Sequence, residues 1–119
     1  MDLELFPKSD APIIEGYGTG YVTISGKRVT DTFILYPDKF EEIESGGISL
    51  ITKSINLYKN KLDLIIYGSS TGIKNKNKII KELNINSLPI EFMQTYAACR
   101  TWTVLIGEGR AVVAIIKPS

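Results

Sequence analysis

The chain has 119 residues, of which 44% are apolar and 23% are charged, and its formal net charge is +1. These values predict one soluble globular domain and give no reason to expect nucleic acid as a partner. Histidine is absent and Cys99 is the only cysteine, which excludes an intrachain disulfide, a histidine general base and a histidine-ligated metal. The acidic start Met-Asp-Leu-Glu differs from a targeting peptide, and no apolar run is long enough to span a bilayer. We expect a cytoplasmic protein with no membrane span.

The N-terminal third of the chain has the pattern of a β-hairpin extension. Residues 1–12 are expected to form a flexible arm, because Pro7 and Pro12 interrupt regular structure. Residues 21–24 alternate as a strand does, residues 25–27 (SGK) predict a turn, and residues 28–36 return as further β-rich sequence. Glycines at positions 16, 18 and 20 imitate a dinucleotide fingerprint, but they precede a strand instead of opening a helix. They predict a bulged or mobile approach to the hairpin.

Helices and strands are then predicted to alternate. Ser45-Gly46-Gly47 marks a clear break after an ambiguous acidic stretch. The predicted elements are a helix at about 49–59, a strand at 62–67, a helix at 75–84, a strand at 90–93, a helix at 95–107 and a strand at 111–116. The strand at 62–67 is nearly all apolar, as expected of a central strand covered on both faces. The helix at 75–84 is expected to turn Ile79, Ile80 and Leu83 inward. This alternation of helices and strands after the N-terminal β segment predicts an α/β layered domain.

The helix at 95–107 is the element around which we expect the domain to be organised. Thr95 is a plausible N-cap, and glycines at 107 and 109 can end the helix. A broad apolar arc is predicted to face the sheet; it comprises Ala97, Ala98, Thr101, Trp102, Val104, Leu105 and Ile106. Tyr96, Cys99, Arg100 and Thr103 are predicted on the opposite side.

Small polar residues follow the strand at 62–67, where α/β proteins often bind phosphate or carboxylate groups. The hypothetical anion site comprises Gly68, Ser69, Ser70, Thr71, Thr95 and Arg100. If the strands at 62–67 and 90–93 are parallel, these residues share one mouth at the edge of the sheet. The Walker pattern is not met, because Ile73 replaces its second glycine. The alternative is a tight turn, with Arg100 pairing structurally with a carboxylate or with backbone carbonyls.

The single cysteine and a cluster of lysines each have a structural interpretation as well as a functional one. Cys99 lies near the start of a helix beside Arg100, which could activate its thiol, but a half-buried packing role is the alternative. Lysines at 74, 76, 78 and 81 form a basic cluster without interleaved aromatics, which indicates a solvated helix face.

Residues 93–105 (MQTYAACRTWTVL) and 108–110 (EGR) resemble the signature of the domain of unknown function 498 family, also known as Mth938-like. Residues 67–70 (YGSS) and 24–27 (ISGK) fit as well, so the resemblance covers about 13–118. The family is similar to mitochondrial complex I (NADH:ubiquinone oxidoreductase) assembly factor 3. The resemblance implies a three-layer α/β domain with a mixed central sheet and an N-terminal β-hairpin extension. Ser70 and Thr103 depart from residues that family members often carry.

The function expected from these observations is that of a non-catalytic interaction protein, such as an assembly factor for a respiratory or membrane protein complex. Its hypothetical interaction surface comprises Tyr17, Tyr21 and Phe40, aromatics in segments predicted as loops or edge strands. A protein partner and a possible homo-oligomer are expected, with no cofactor and no metal. The alternative is a small-molecule binding protein or enzyme that uses the mouth near Arg100.

Overall fold

Two β-sheets and two helices make up the part of the chain that the computed structural model describes, which is residues 11–43, 55, 61–71, 74–83 and 88–119. The expected arm at 1–12 lies outside these residues, apart from Ala11 and Pro12. The predicted helix at 49–59 also lies outside them, apart from Ile55, which is helical and buried.

A three-stranded antiparallel sheet forms the N-terminal extension. Its strands are β1 (Ile14–Gly18), β2 (Tyr21–Ile24) and β3 (Lys27–Val29), in that order. Ser25 and Gly26 both have positive φ, as the tight turn between β2 and β3 requires. The pairing of β1 with β2 shifts register between Ile14 and Gly16. This irregularity confirms the bulged approach that the glycines predicted.

The larger sheet has five strands and is mixed, as predicted. They are β4 (Phe33–Leu35), β5 (Phe40–Glu42), β6 (Leu64–Gly68), β7 (Ile90–Met93) and β8 (Val112–Ile116). Their order is β5-β4-β8-β6-β7. Strand β6 is parallel to both β7 and β8, whereas β4 runs antiparallel to β8 and to β5. Strand β8 takes the middle position, and β6 is an interior strand that is paired on both sides and buried throughout, as predicted for the strand at 62–67.

Both faces of the five-stranded sheet are covered, because alternate residues of its strands enter two separate cores. In β6, Leu64 and Ile66 face helix α2 (Thr95–Gly107) and the three-stranded sheet, while Ile65 and Tyr67 face the opposite core. Ile55 and helix α1 (Lys76–Leu83) contribute to that second core. The three-layer α/β architecture predicted from the sequence is confirmed.

Helix α1 buries a narrower face than the sequence predicted. Ile79 and Leu83 are buried four residues apart, on one stripe of the helix. Ile80 is 42% exposed, so its predicted inward position is wrong. Within the described ranges, no helix has both the length and the hydropathy that crossing a membrane requires.

Candidate functional site

The start of helix α2 differs from the prediction. Gln94 is the N-cap residue and makes no capping hydrogen bond with its side chain, whereas Thr95 is the first helical residue. The Thr95 hydroxyl donates to the backbone carbonyl of Lys117 at 2.7 Å and lies 3.0 Å from the Ser119 hydroxyl. Thr95 therefore ties the helix to the segment after β8 instead of capping it.

The inward face of α2 also needs correction. Its buried residues are Thr95, Ala98, Cys99 and Trp102, which recur every three or four positions. Val104 is 56% exposed, because it lies about 200° around the helix from Trp102. Cys99, predicted on the outer side, lies about 60° from Trp102 and is 1% exposed. The apolar arc is narrower than predicted and is rotated toward Cys99.

Gly68 is a point at which α2 closely approaches the sheet. A Cβ atom added to Gly68 would lie 2.4 Å from the Cβ of Ala98, which is far too close for two carbon atoms that are not bonded to each other. The short side chain of Ala98 and the missing side chain of Gly68 together allow this approach. Packing alone therefore accounts for the glycine that the sequence analysis assigned to an anion site.

Most of the polar groups at the mouth, which lies at the end of β6, are hydrogen-bonded to other groups of the protein. The backbone N–H of Ser69 donates to the Met93 carbonyl at 3.0 Å, as the parallel pairing of β6 and β7 continues. The backbone N–H of Thr71 donates to the Ser69 hydroxyl at 3.1 Å, and the two hydroxyls lie 3.1 Å apart. Ser70 is exposed beside them. This arrangement has the form of a tight turn held by a serine side chain.

Arg100 lies on a different side of α2 from this mouth. Ala98 faces Gly68, and Arg100 is about 200° further around the helix. Its guanidinium carbon is 6.0 Å from the centroid of the Tyr96 ring, and its side chain is exposed. No salt bridge involves Arg100 among the described residues. The six-residue anion site stays a prediction, with five of its residues at the mouth and Arg100 on the outer side of the helix.

Arg100 instead lines a groove between β1 and α2, which we call the seam. A hollow of about 360 Å³ is lined by Ile14, Glu15, Gly16, Tyr17, Cys99, Arg100, Thr103 and Val104. A neighbouring hollow of about 200 Å³ is lined by Ala11, Pro12, Ile13, Ile14, Trp102, Thr103, Ile106 and Gly107. Because Ile14 and Thr103 line both hollows, the seam continues along the strand and the helix.

Aromatic and indole contacts join β1 to α2 at the two ends of the seam. The rings of Tyr17 and Tyr96 stack with their centroids 6.3 Å apart and their planes at 18°. At the other end, the Trp102 indole N–H donates to the Pro12 carbonyl at 3.5 Å. These contacts fix the strand beside the helix and keep the groove between them open.

The other two aromatics of the predicted interaction surface have different surroundings. Tyr21 is half-buried, and the Arg28 guanidinium carbon lies 4.0 Å from the centroid of its ring. Phe40 is half-buried and packs against the core that α2 covers. Among the three predicted residues, only Tyr17 lines the seam.

The Cys99 thiol is poorly suited to act as a nucleophile. Desolvation by burial raises its pKa from 9.0 to about 11, so the thiol is protonated near neutral pH. The described residues contain no cluster of three or more cysteine, aspartate or glutamate side chains that could hold a metal ion. The packing role considered for Cys99 fits this burial.

The sequence match and the observed architecture agree on one family. Residues 14–117 match the family described as protein of unknown function (DUF498/DUF598). The chain belongs to this family. No curated protein matches it.

Solved structures related to this DUF498 chain have the same fold. A Bordetella parapertussis protein has 20% identity and a TM-score of 0.66, with 95% of this chain and 100% of that chain covered. A Mth938-like domain from Bordetella pertussis has 18% identity and a TM-score of 0.66, with 99% and 92% covered. A conserved hypothetical protein from Pyrococcus horikoshii has 20% identity and a TM-score of 0.60, with 90% and 98% covered. The fold of this chain is Mth938-like.

The sequence analysis of this DUF498 domain missed three residues that the structure brings together at the seam. Ile13, Tyr96 and Val104 are 64%, 52% and 56% exposed, and all border the contact between β1 and α2. The sequence placed Val104 and Trp102 on one broad arc, although they lie about 200° apart around the helix, and this wide separation was the one available signal that both do not face the core. Ile13 gave no such signal, because the position of β1 beside α2 depends on tertiary packing.

Proposed function

We propose that this DUF498 domain is a non-catalytic interaction protein and that its docking surface is the seam. The observation that carries the proposal is the distribution of exposed apolar side chains. Five large hydrophobic residues are exposed in the described part of the chain, and four of them border the seam: Ile13, Tyr17, Tyr96 and Val104. Contiguous exposed apolar surface of this kind marks sites of association.

The composition of the seam supports a protein partner. Tyrosine and arginine are enriched among residues that dominate binding energy, because they combine large contact area with hydrogen-bonding groups. The seam has both in contact, since Tyr17 stacks on Tyr96 and Arg100 lies over the Tyr96 ring. The stack holds the two rings in place before a partner arrives, which lowers the entropy lost on binding.

The chemistry of the side chains supports a non-catalytic role. The sequence has no histidine, so no imidazole base exists. The raised pKa of the Cys99 thiol makes it a weak nucleophile near neutral pH. At the mouth, the Ser69 and Thr71 amides and the Thr95 hydroxyl are already hydrogen-bonded within the protein. The competing proposal of an anion-binding protein or enzyme at this mouth therefore has less support than docking at the seam.

The class of partner that we propose follows from the resemblance to the complex I assembly factor. The partner is a component of a respiratory or membrane protein complex, bound during assembly from the cytoplasmic side. Tyr21 and Phe40 extend the proposed surface along the three-stranded sheet and β5. Phe40 is half-buried against the core, so a variant at this position also loosens the fold.

Affinity purification from the protein's own cells tests this function. The tagged chain is expected to recover a respiratory-complex or membrane-biogenesis component, and Tyr17→Ala is expected to reduce the recovery. Ile80→Ala is the matched control, because both side chains are 42% exposed and Ile80 belongs to α1 on the other face of the sheet. Equal loss in the two variants contradicts docking at the seam. If the purified protein turns over a metabolite and Arg100→Ala abolishes that turnover, the alternative hypothesis of an enzyme is favoured instead.

A further inference from the structure

Within the described residues, one side of strand β1 has no strand beside it. In the three-stranded sheet, β1 occupies an edge and pairs only with β2. No other strand pairs with it in the described ranges. An edge strand exposes a row of backbone N–H and C=O groups that an additional strand can pair with.

The lining of the seam indicates that it runs along this free edge. Four consecutive residues of β1, positions 14–17, line the larger hollow. Consecutive residues point to opposite faces of a strand, so a groove on one face would be lined by alternate residues only. No residue of β2 lines either hollow, which puts the groove on the side of β1 away from its partner strand.

The dimensions of the seam suit a short extended segment. The helical wall runs from Cys99 to Gly107, a rise of about 12 Å at 1.5 Å per residue. An extended chain advances about 3.3 Å per residue, so about four residues fit along this length. Gly16 also leaves room at the edge, since a Cβ atom there would meet nothing within 4 Å. A glycine in a strand is often found where another backbone approaches closely.

The side chains around the seam specify the chemistry of that segment. Its walls are apolar at Val104 and Tyr17, and Arg100 is its one cation among the residues that the structure describes. In the described part of the chain, Glu15 is the only carboxylate that lines it, and it accepts a hydrogen bond from the Gly26 backbone N–H. Because Arg100 has no salt bridge among the described residues, its guanidinium can bind a carboxylate from outside the chain.

We propose that the seam binds an extended peptide segment of a partner protein, which adds a strand to the free edge of β1. Apolar side chains of the segment pack on Val104 and Tyr17, and an aspartate or glutamate of the segment pairs with Arg100. This binding mode rests on the proposed docking function. It specifies the bound segment by its extended backbone, by its alternating apolar side chains and by its one acidic residue.

Selection from a phage-displayed library of random peptides, followed by affinity measurement with the enriched synthetic peptides, tests this binding mode. Enriched peptides are expected to carry alternating apolar residues and one acidic residue. Arg100→Glu is expected to weaken binding by about tenfold or more, and changing the acidic residue of the peptide to lysine should restore it. N-methylation of the central peptide amides should weaken binding to a similar extent, because it removes backbone donors.

Two protein variants complete the design. Gly16→Val adds a side chain at a position that lines the larger hollow and whose Cβ meets no other atom, so it should take space from the peptide and weaken binding, whereas Lys78→Ala on the exposed face of α1 should not change it. Failure to enrich peptides, or peptides that bind equally after Arg100→Glu and after N-methylation, would overturn the binding mode. A protein that is dimeric until Gly16→Val is introduced would also overturn it, because a second copy then fills the seam.

The two proposals can fail separately. If Tyr17→Ala abolishes recovery of the cellular partner while N-methylation leaves peptide binding intact, docking at the seam stands and strand addition fails. If peptides bind as described but recovery is the same in Tyr17→Ala and Ile80→Ala, the proposed cellular function fails instead.

Discussion

The contact between Gly68 and Ala98 gives the most direct test of how α2 is seated on the sheet. Gly68→Ala would put two carbon atoms 2.4 Å apart, whereas packed carbons lie about 3.5–4.0 Å apart. Ala98 has no rotatable side chain that could move aside, so the helix must shift by about 1 Å or more. Overpacking of this kind typically costs about 1–3 kcal/mol. The lower entropy of the unfolded alanine chain returns only about 0.4–1 kcal/mol. We expect a net loss of stability.

Urea denaturation measures this loss, and Gly16→Ala is the matched control. Gly16 is also a strand residue without positive φ, but its added methyl group meets open space. The control should lie between no change and a gain of about 1 kcal/mol. In the double variant Gly68→Ala/Ala98→Gly, the second substitution removes the obstructing methyl group, so the two effects should couple by about 1 kcal/mol or more. If Gly68→Ala were as stable as the control, the helix would not be held where the structure has it.

Three more predictions concern α2 and the mouth. Trp102→Ala should lower the free energy of unfolding by about 3–5 kcal/mol because the indole is fully buried. Leu105→Ala should lower it by less because Leu105 is half-buried, and urea denaturation of both variants measures the difference. The unfolded chain releases the Cys99 proton near pH 9.0 and the folded chain near 11, so the free energy of unfolding should fall as pH rises through this window, by up to about 3 kcal/mol. Cys99→Ala should remove that part of the fall. Titration with phosphate should shift the amide resonances of Ser69–Thr71 if the mouth binds anions, and no shift at millimolar phosphate would leave the turn purely structural. An effect of Arg100→Ala on such shifts, with none from Lys78→Ala, would bring the guanidinium to the mouth.

Much of the fold followed from local patterns in the sequence. Residues 90–93 and 95–107 were predicted with the bounds that the structure has, since a short apolar run and a helical period are both visible locally. The turn at Ser25 and Gly26 was predicted for the same reason, because glycine tolerates the positive φ that the turn needs. The order of strands depends on pairing between distant segments, so the central position of β8 could not be read from its own residues.

The candidate site was harder to predict, because helix rotation decides which residues meet. A shift of the buried arc by about 60° turned Cys99 inward and Val104 outward, and a count of apolar residues does not resolve that angle. The choice between a glycine that binds an anion and one that admits a helix likewise needs the position of Ala98. Exposed residues at the seam become a surface only because β1 lies beside α2, a contact between segments about 80 residues apart.

The central place of β8 has a consequence for the order of events during synthesis. Strands β4 and β5 form one half of the five-stranded sheet and β6 and β7 the other, and only β8 is hydrogen-bonded to both halves. Before β8 is exposed, the two halves therefore share no strand pairing among the described residues. Each half presents an apolar strand, β4 or β6, with one edge unpaired until residues 112–116 emerge. Nascent chains that expose β7 but not residues 112–116 outside the ribosome should accordingly be sensitive to protease and bound by chaperones, and exposure of residues 112–116 should release them.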